Sequence, residues 1–353
     1  AGKEFTFIEQ LTLRDLRQRV FTSMKVTIND VAKYAGVSIK TVSRVTNNEP
    51  SVKQATVDKV NEAIKALNYQ PNLAARNLAG TKSYAIGFIY DNPNAYYIID
   101  MQNGILAACK DKGYELVIHP CNAKSETICD ELTALVKYSR LAGLVLTPPL
   151  SEDPKVLKAL TEIDANYVRI IAGEKDNDQN GLTILVNDKF GAVEITQHLI
   201  DLGHKHIAFL SGDLHHESTK ERLLGFKQAL TINGLKLNEN YIIEGKYSFE
   251  SGVDGANKLI KLKHRPTAIV ACNDEIAAGA LFAARLAGLD IPVDLSIVGF
   301  EDSPFSRQTW PKLTTVHQPN EKIAQIATEL LIANRREQKI EQFKVFTPEP
   351  VIR

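Results

Sequence analysis

From Tyr84 onward, apolar runs of four to six residues alternate with longer segments whose apolar positions recur at helical spacing. The runs occupy residues 85–89, 115–118, 143–146, 168–171, 206–210, 267–271 and 295–300. A short run that is apolar throughout suits a strand covered on both faces, and strands separated by helices pair in parallel. The pattern predicts an α/β fold built on parallel sheets over residues 83–353. Ligands of such sheets sit beyond the carboxyl ends of the strands. Here those ends carry Asp91-Asn92, Ser211-Gly212-Asp213, Asn273-Asp274 and Glu301-Asp302.

The 353 residues suffice for two or three domains and a large core. With 44% hydrophobic and 24% charged residues, the chain is neither disordered nor a coiled coil. No apolar run nears the ~18–20 residues that span a bilayer. Cys109, Cys121, Cys129 and Cys272 lack CxxC spacing. That fits reduced thiols in a cytoplasmic protein better than a disulfide frame or a zinc site. Neither a metal nor a cofactor is expected.

The formal net charge of zero conceals a split. Residues 24–82 hold nine basic side chains against four acidic ones, a charge of +5. Residues 1–23 contribute +1, so the rest of the chain carries −6. A basic head on an acidic body points the head toward a polyanion. Residues 1–23 form an extension without the apolar core or cleavage site of a secretory signal. Leu11, Leu13, Leu16 and Val20 suit a short amphipathic helix, but the extension is otherwise expected to be poorly ordered and receives no function.

Between residues 24 and 70 the spacing predicts three short helices. Thr27 and Asp30 make a capping pair ahead of Val31, Ala32 and Ala35. Gly36 supplies a left-handed stop, and Ser38 caps the next helix. That second helix turns Val42 and Val45 inward and leaves Ile39, Lys40, Thr41, Ser43 and Arg44 outward. A third places Val57, Val60, Ala63, Ile64 and Leu67 on one face. Two helices joined at a glycine and braced by a third form a helix-turn-helix unit, whose second helix enters the DNA major groove.

The segments Val26-Thr27-Ile28-Asn29-Asp30-Val31-Ala32, Ala35-Gly36-Val37-Ser38, Thr41-Val42-Ser43-Arg44-Val45 and Asn68-Tyr69-Gln70-Pro71-Asn72 resemble the head of the lactose/galactose repressor family. The likeness continues through Ala74-Ala75-Arg76-Asn77-Leu78-Ala79-Gly80 and, more loosely, to the C-terminus. It implies an effector-controlled homodimeric transcription factor on a palindromic double-stranded operator. Its architecture would be a small all-α head on a two-lobed body like periplasmic sugar-binding proteins. By this resemblance Ile39 and Lys40 hold the specificity positions, and Thr41, Ser43, Arg44 and Asn47 add base and phosphate contacts. Lys and Arg reach guanine O6 and N7, whereas Ile39 packs on a thymine methyl or excludes other groups. Thr27, Thr56, Tyr69 and Asn72 match phosphate-positioning sites. Lys53 departs from the family's usual Ser, so the third helix loses a cap. Residues 71–82 match the hinge helix, too short to be stable alone, with Leu78 as the minor-groove wedge.

In the body, the resemblance assigns Tyr96 and Tyr97 as aromatic platforms, Arg222 as the holder of ligand oxygens and Tyr247 as a further ring. Asn273 matches a hydroxyl-binding amide. Glu301 stands where the family usually has an Asp that accepts two ligand hydroxyls. Such a set suits a polyhydroxylated ligand, most simply a sugar. A purine-type corepressor is the alternative, because stacking with Arg222 and Glu301 also serves a base. The lobes are expected to divide near Asp188, with the chain crossing back at residues 303–310 and again at 317–320.

An enzyme is the rival from another class. The chain has no GxSxG, HExxH, zinc pattern or P-loop; Gly80-Thr81-Lys82-Ser83 lacks the order and the preceding glycine of a phosphate loop. His215-His216-Glu217 reads as a solvated loop. No enzymatic activity is expected. The chain ends soon after residues 343–346, which favours a dimer over a tetramer held by a C-terminal coiled coil. The expected effector is an inducer that weakens operator binding.

Overall fold

The computed structural model describes residues 26–46, 51–69, 83–92, 94–173, 181–335 and 342–353. The chain divides into two compact units, the second beginning at Ser83. Residues 1–23, Asn47 and the hinge 71–82, with Asn72 and Leu78, lie outside the described residues.

The first unit contains α1 (Ile28–Ala35), α2 (Ile39–Thr46) and α3 (Gln54–Ala66). The Asp30 carboxylate accepts from the Thr27 backbone N–H at 2.9 Å and from its hydroxyl at 2.7 Å, closing the first turn. Gly36 ends α1 at φ 65°, where a side chain would be strained, and its N–H donates to the Ala32 carbonyl. Ser38 Oγ accepts from the Thr41 N–H at 3.1 Å and so starts α2. Lys53 precedes α3 without a side-chain cap. Val31, Val42, Val45, Val60 and Ala63 close the core. Three amphipathic helices therefore share one small apolar centre.

The second unit has two lobes, each built on a parallel sheet. The first lobe contains β1 (Ala85–Tyr90), α4 (Ala95–Lys112), β2 (Glu115–Pro120), α5 (Ile128–Ser139), β3 (Gly143–Leu146), α6 (Pro154–Glu162), β4 (Tyr167–Ala172) and β5 (Leu182–Val186). The second contains α7 (Asp188–Asp201), β6 (Ile207–Leu210), α8 (Glu217–Ile232), β7 (Ile242–Ile243), α9 (Phe249–Ile260), β8 (Ala268–Ala271), α10 (Asp274–Leu286), β9 (Ser296–Val298), α11 (Pro304–Gln308) and β10 (Thr315–His317). The chain then returns to the first lobe for α12 (Asn320–Arg335) and β11 (Phe343–Phe346), and ends as β12 (Glu349–Val351).

Strand order is β11-β5-β4-β3-β1-β2 in the first sheet and β7-β6-β8-β9 in the second. All these pairings are parallel, and β10 pairs antiparallel with β12. Each lobe packs its own core, around Phe88, Met101 and Val168 in one and Phe209, Phe226 and Phe300 in the other. The helix pairs α4–α12, α7–α8 and α9–α10 meet through Gly104, Gly225 and the reciprocal Gly252 and Gly279. A Cβ at any of these positions would collide with a backbone carbonyl of the facing helix.

The lobes divide at Asp188 as expected, and the chain crosses back between β10 and α12. The expected crossing at residues 303–310 is corrected: that stretch stays in the second lobe. Asp274 holds Ser303 through its N–H at 2.6 Å, and the Leu313 N–H donates to the Ser306 carbonyl at 2.9 Å. The third crossing falls instead between β11 and β12. The four cysteines are free thiols, with Cys109 and Cys272 buried. Among the described residues, no helix is long and apolar enough to cross a membrane.

Candidate functional site

The carboxyl ends of the two sheets face one another across a cleft centred on Arg222. This residue lies on the buried side of α8. Its Nε donates to Asp188 Oδ1 at 2.6 Å and its Nη1 to the Cys272 carbonyl at 2.7 Å. Nη1 also reaches Glu301 Oε1 at 3.5 Å, and Nη2 donates to Gln318 Oε1 at 3.1 Å. The guanidinium lies 4.0 Å from the centroid of the Phe300 ring. Burial works against the cation, but Asp188, Tyr247, Cys272 and Glu301 together outweigh it and the pKa rises, so Arg222 is permanently charged. Burial also pushes the Asp188 carboxyl up, opposed by the guanidinium.

Glu301 occupies a strained turn, with φ 100° at Glu301 and 57° at Asp302. Asp274 braces that turn by accepting from the Ser303 N–H and, at 2.5 Å, from the Thr315 hydroxyl. Burial pushes Glu301 up to about 7, with Arg222 pulling the other way. From the opposite lobe, the Asn94 amide donates to Glu301 Oε2 at 2.8 Å. Glu152, also from the first lobe, accepts from the Ala172 N–H at 2.9 Å and is raised to about 7 by burial.

Aromatic rings complete the walls. Tyr247 gives its hydroxyl to a bond with Thr219 Oγ1 at 2.7 Å, and His216 stands edge-on to its ring at 5.6 Å. Burial lowers the His216 pKa, so that imidazole is neutral near pH 7. The innermost space is about 50 Å³, lined by Asn94, Tyr97, Asp188, Arg222, Tyr247 and Glu301 among others. It opens past Asn92, His216 and Tyr247 into a chamber of about 700 Å³. Only the outer volume is of the size that small-molecule pockets usually have.

Of the six residues expected in this cleft, Tyr97, Arg222, Tyr247 and Glu301 line one cavity. Tyr96 does not. Neighbours on a helix point about 100° apart, and Tyr96 turns edge-on to Phe305 at 5.5 Å while Tyr97 faces the cleft. Asn273 is fully buried outside that lining; its Oδ1 caps α10 by accepting from the Ile276 N–H at 2.9 Å, and its Nδ2 has no hydrogen-bond partner among the described residues. Sequence reasoning missed Asn94, Asp188, His216 and Gln318 as cleft residues. Asn94 carried a usable signal, because an Asn just ahead of an aromatic helical segment is a helix cap.

In the head, Ile39, Lys40 and Arg44 are exposed on α2. Thr41 and Ser43 are half-buried on the same helix, and Thr41 Oγ1 pairs with Ser38 Oγ at 2.8 Å. Thr27 is exposed at the start of α1, Thr56 is half-buried on α3, and Tyr69 packs against the head core. Asn47, Asn72 and Leu78 are outside the described residues.

The family model for bacterial regulatory proteins of the lacI family matches residues 27–72, and a periplasmic binding protein-like domain matches residues 196–353. The transcriptional repressor PurR of Vibrio atlanticus (strain LGP32) is 33% identical, over 92% of this chain and 96% of its own length. The chain belongs to the LacI family. Among solved structures, the lac repressor dimer bound to operator and the anti-inducer ONPF superposes with a TM-score of 0.74 at 28% identity, covering 93% of this chain and 98% of that one. The transcriptional regulator CelR in complex with cellobiose gives 0.70 at 25% identity, with the same coverage of each. As a LacI-family member, this protein is a DNA-binding transcriptional regulator that responds to a small-molecule effector.

Proposed function

We propose that this LacI-family regulator represses transcription as a homodimer on a palindromic operator, with a sugar bound between its lobes as inducer. The carrying observation is the Arg222 cluster. A buried guanidinium, two carboxylates and aromatic walls converge from both lobes at the sheet ends, where a polyhydroxylated ring finds donors, acceptors and an apolar face. The likeness to CelR, seen with cellobiose, supports a sugar.

In this reading residues 24–70 form the DNA-binding domain, in which Ile39, Lys40 and Arg44 read bases in the major groove. Thr27, Thr41, Ser43, Asn47, Thr56, Tyr69 and Asn72 position the backbone. Residues 71–82 couple the head to residues 83–353 through a hinge helix, with Leu78 inserted in the minor groove. Tyr97, Arg222, Tyr247 and Glu301 hold the sugar, joined by Asn94 and Asp188. Exposed apolar side chains on the first lobe (Ile99, Leu106, Ile118) and the second (Phe282, Leu286) supply the self-association surface. A sugar that prefers one lobe arrangement shifts the hinge segments and weakens operator binding by ~1–3 kcal/mol of coupling. The protein works where the operator is, in the cytoplasm, and does not alter its ligand chemically.

An operator gel shift tests the proposal, run with and without a panel of neutral sugars and purine bases, beside a hydrolysis assay of the same sugars. Release of operator by an unchanged sugar supports it. Tighter operator binding with a purine base would establish the corepressor reading instead, and sugar turnover would make the protein an enzyme.

A further inference from the structure

We infer that the cleft selects an uncharged ligand and rejects phosphorylated or carboxylate-bearing ones. This inference rests on the cleft being the effector site. Among the described residues lining the inner cavity, Arg222 is the only permanent cation, and its charge is already engaged by protein acceptors. Asp188 meets Nε at 2.6 Å and Glu301 lies 3.5 Å from Nη1. A ligand phosphate approaching the guanidinium would bring two negative charges against these two carboxylates in a buried space, where like charges are weakly screened.

The outer chamber repeats the bias. Its described lining holds five carboxylates and three lysines. Lys220 is held by Glu217 at 2.7 Å, and His215 by Asp213 at 2.8 Å. Lys124 and Lys246 are exposed to solvent, where water and salt blunt their pull on an anion. Glu152, half-buried and fixed by the Ala172 N–H, stands on the route inward. Neutral hydroxyls meet no such opposition: they donate to Asp188, Glu301 and Glu152 and accept from Asn94 and Arg222. Neutrality is thus a selection rule written in the positions of the carboxylates.

Two measurements on the full chain test this. In the first, thermal unfolding is followed at pH 8, where Glu301 is ionised, against inorganic phosphate at constant ionic strength, for wild type, Glu301→Gln and Arg222→Gln. The expected result is no saturable stabilisation of wild type and a saturable one, in the millimolar range, for Glu301→Gln. Saturable stabilisation of wild type that Arg222→Gln abolishes would overturn the inference. Failure of phosphate to stabilise Glu301→Gln would also overturn it, because the carboxylate would not be the barrier.

In the second, glucose and galactose are each compared with their 6-phosphates and uronates. The neutral sugar is expected to bind at least roughly tenfold more tightly than its charged partner, and a charged sugar that binds better than its parent overturns the inference. Should the phosphate pattern hold while no neutral sugar binds, the charge selectivity stands and the sugar-effector reading falls.

Discussion

The Asn94 amide donates to Glu301 Oε2 at 2.8 Å and so ties the first lobe to the second across the cleft. The direction of that bond is fixed by its surroundings. Asn94 Oδ1 already accepts from the Tyr96 and Tyr97 N–H groups at 3.1 and 3.2 Å, which leaves the NH₂ end to face the carboxylate. Glu301 thereby spans Arg222 within its own lobe and Asn94 in the other. In the proposed function, a ligand hydroxyl that takes the same lone pair of Oε2 displaces Asn94. Ligand binding and lobe arrangement would then compete for one acceptor site, the kind of differential contact an effector needs to shift a conformational equilibrium.

Asn94→Asp isolates this link, because Asp serves equally well as a helix cap but has no donor and adds a negative charge. Two facing carboxylates should destabilise the body by about 1–2 kcal/mol at pH 8. The loss should shrink at pH 6, where Glu301 takes up a proton. Thermal unfolding at both pH values checks this. A loss equal at pH 6 and pH 8 would mean the two side chains do not share a proton-dependent contact.

Under the proposed function, Glu301 should set the pH dependence of effector binding. Its carboxyl is raised to about 7, chiefly by burial. A sugar that requires two acceptor oxygens favours the ionised form, so binding releases a proton and affinity rises with pH. Between pH 6 and pH 8 the gain should be about tenfold, levelling above pH 8. Glu301→Gln should flatten the profile, and Glu301→Ala should bind operator normally yet ignore the sugar. Calorimetric titration at three pH values, with gel shifts of the alanine variant, reads both. A steep profile that survives Glu301→Gln would move the proton to Glu152 or Asp274, both raised to the same range.

The body's architecture was legible because its strands are short apolar runs, and a buried parallel sheet accepts little else. Leu182–Val186 is as apolar as the others but is not among the predicted runs, and Ile242–Ile243 is too short to show a period. The cleft was legible where a motif carried it: Arg222, Tyr247 and Glu301 stand in recognisable segments. Asp188 and Gln318 were not. Each lies at a crossing between lobes, where sequence shows only the start of a helix or the end of a strand. Their meeting at Arg222 is created by the fold, across 34 residues for one and 96 for the other.

The reciprocal glycines of α9 and α10 make a packing prediction. Gly252 lies against the Ile276 carbonyl and Gly279 against that of Phe249. Helix propensity alone would make Ala stabilising at either site by up to ~1 kcal/mol. Steric collision with backbone reverses the sign, so Gly252→Ala should cost about 1–3 kcal/mol. Denaturant unfolding of the variant decides between propensity and packing; an increase in stability would show that these helices part easily.

The head makes a separable prediction. Arg44→Ala should abolish specific operator binding, and substitutions at Ile39 and Lys40 should change the preferred base, each good contact carrying ~1–3 kcal/mol of discrimination. Binding to a library of half-site variants tests this. Equal weakening on every sequence would place Ile39 and Lys40 on the phosphate backbone instead of the base edges.

The proposed homodimer gives the last prediction. Leu286 is 74% exposed at the end of α10, and Phe282 lies one turn before it on the same face at 47%. A helix that ends in two solvent-facing apolar side chains suits an isologous contact with its own copy. Leu286→Glu should bring like charges together at that contact and yield monomers at micromolar concentration in sedimentation. Because two half-sites one helical turn apart need a two-fold protein, the same variant should lose affinity for a palindromic operator while its effector cleft still binds sugar. A dimer that survives Leu286→Glu would move the contact to the first-lobe surface of Ile99, Leu106 and Ile118, and a wild-type tetramer would require a second interface.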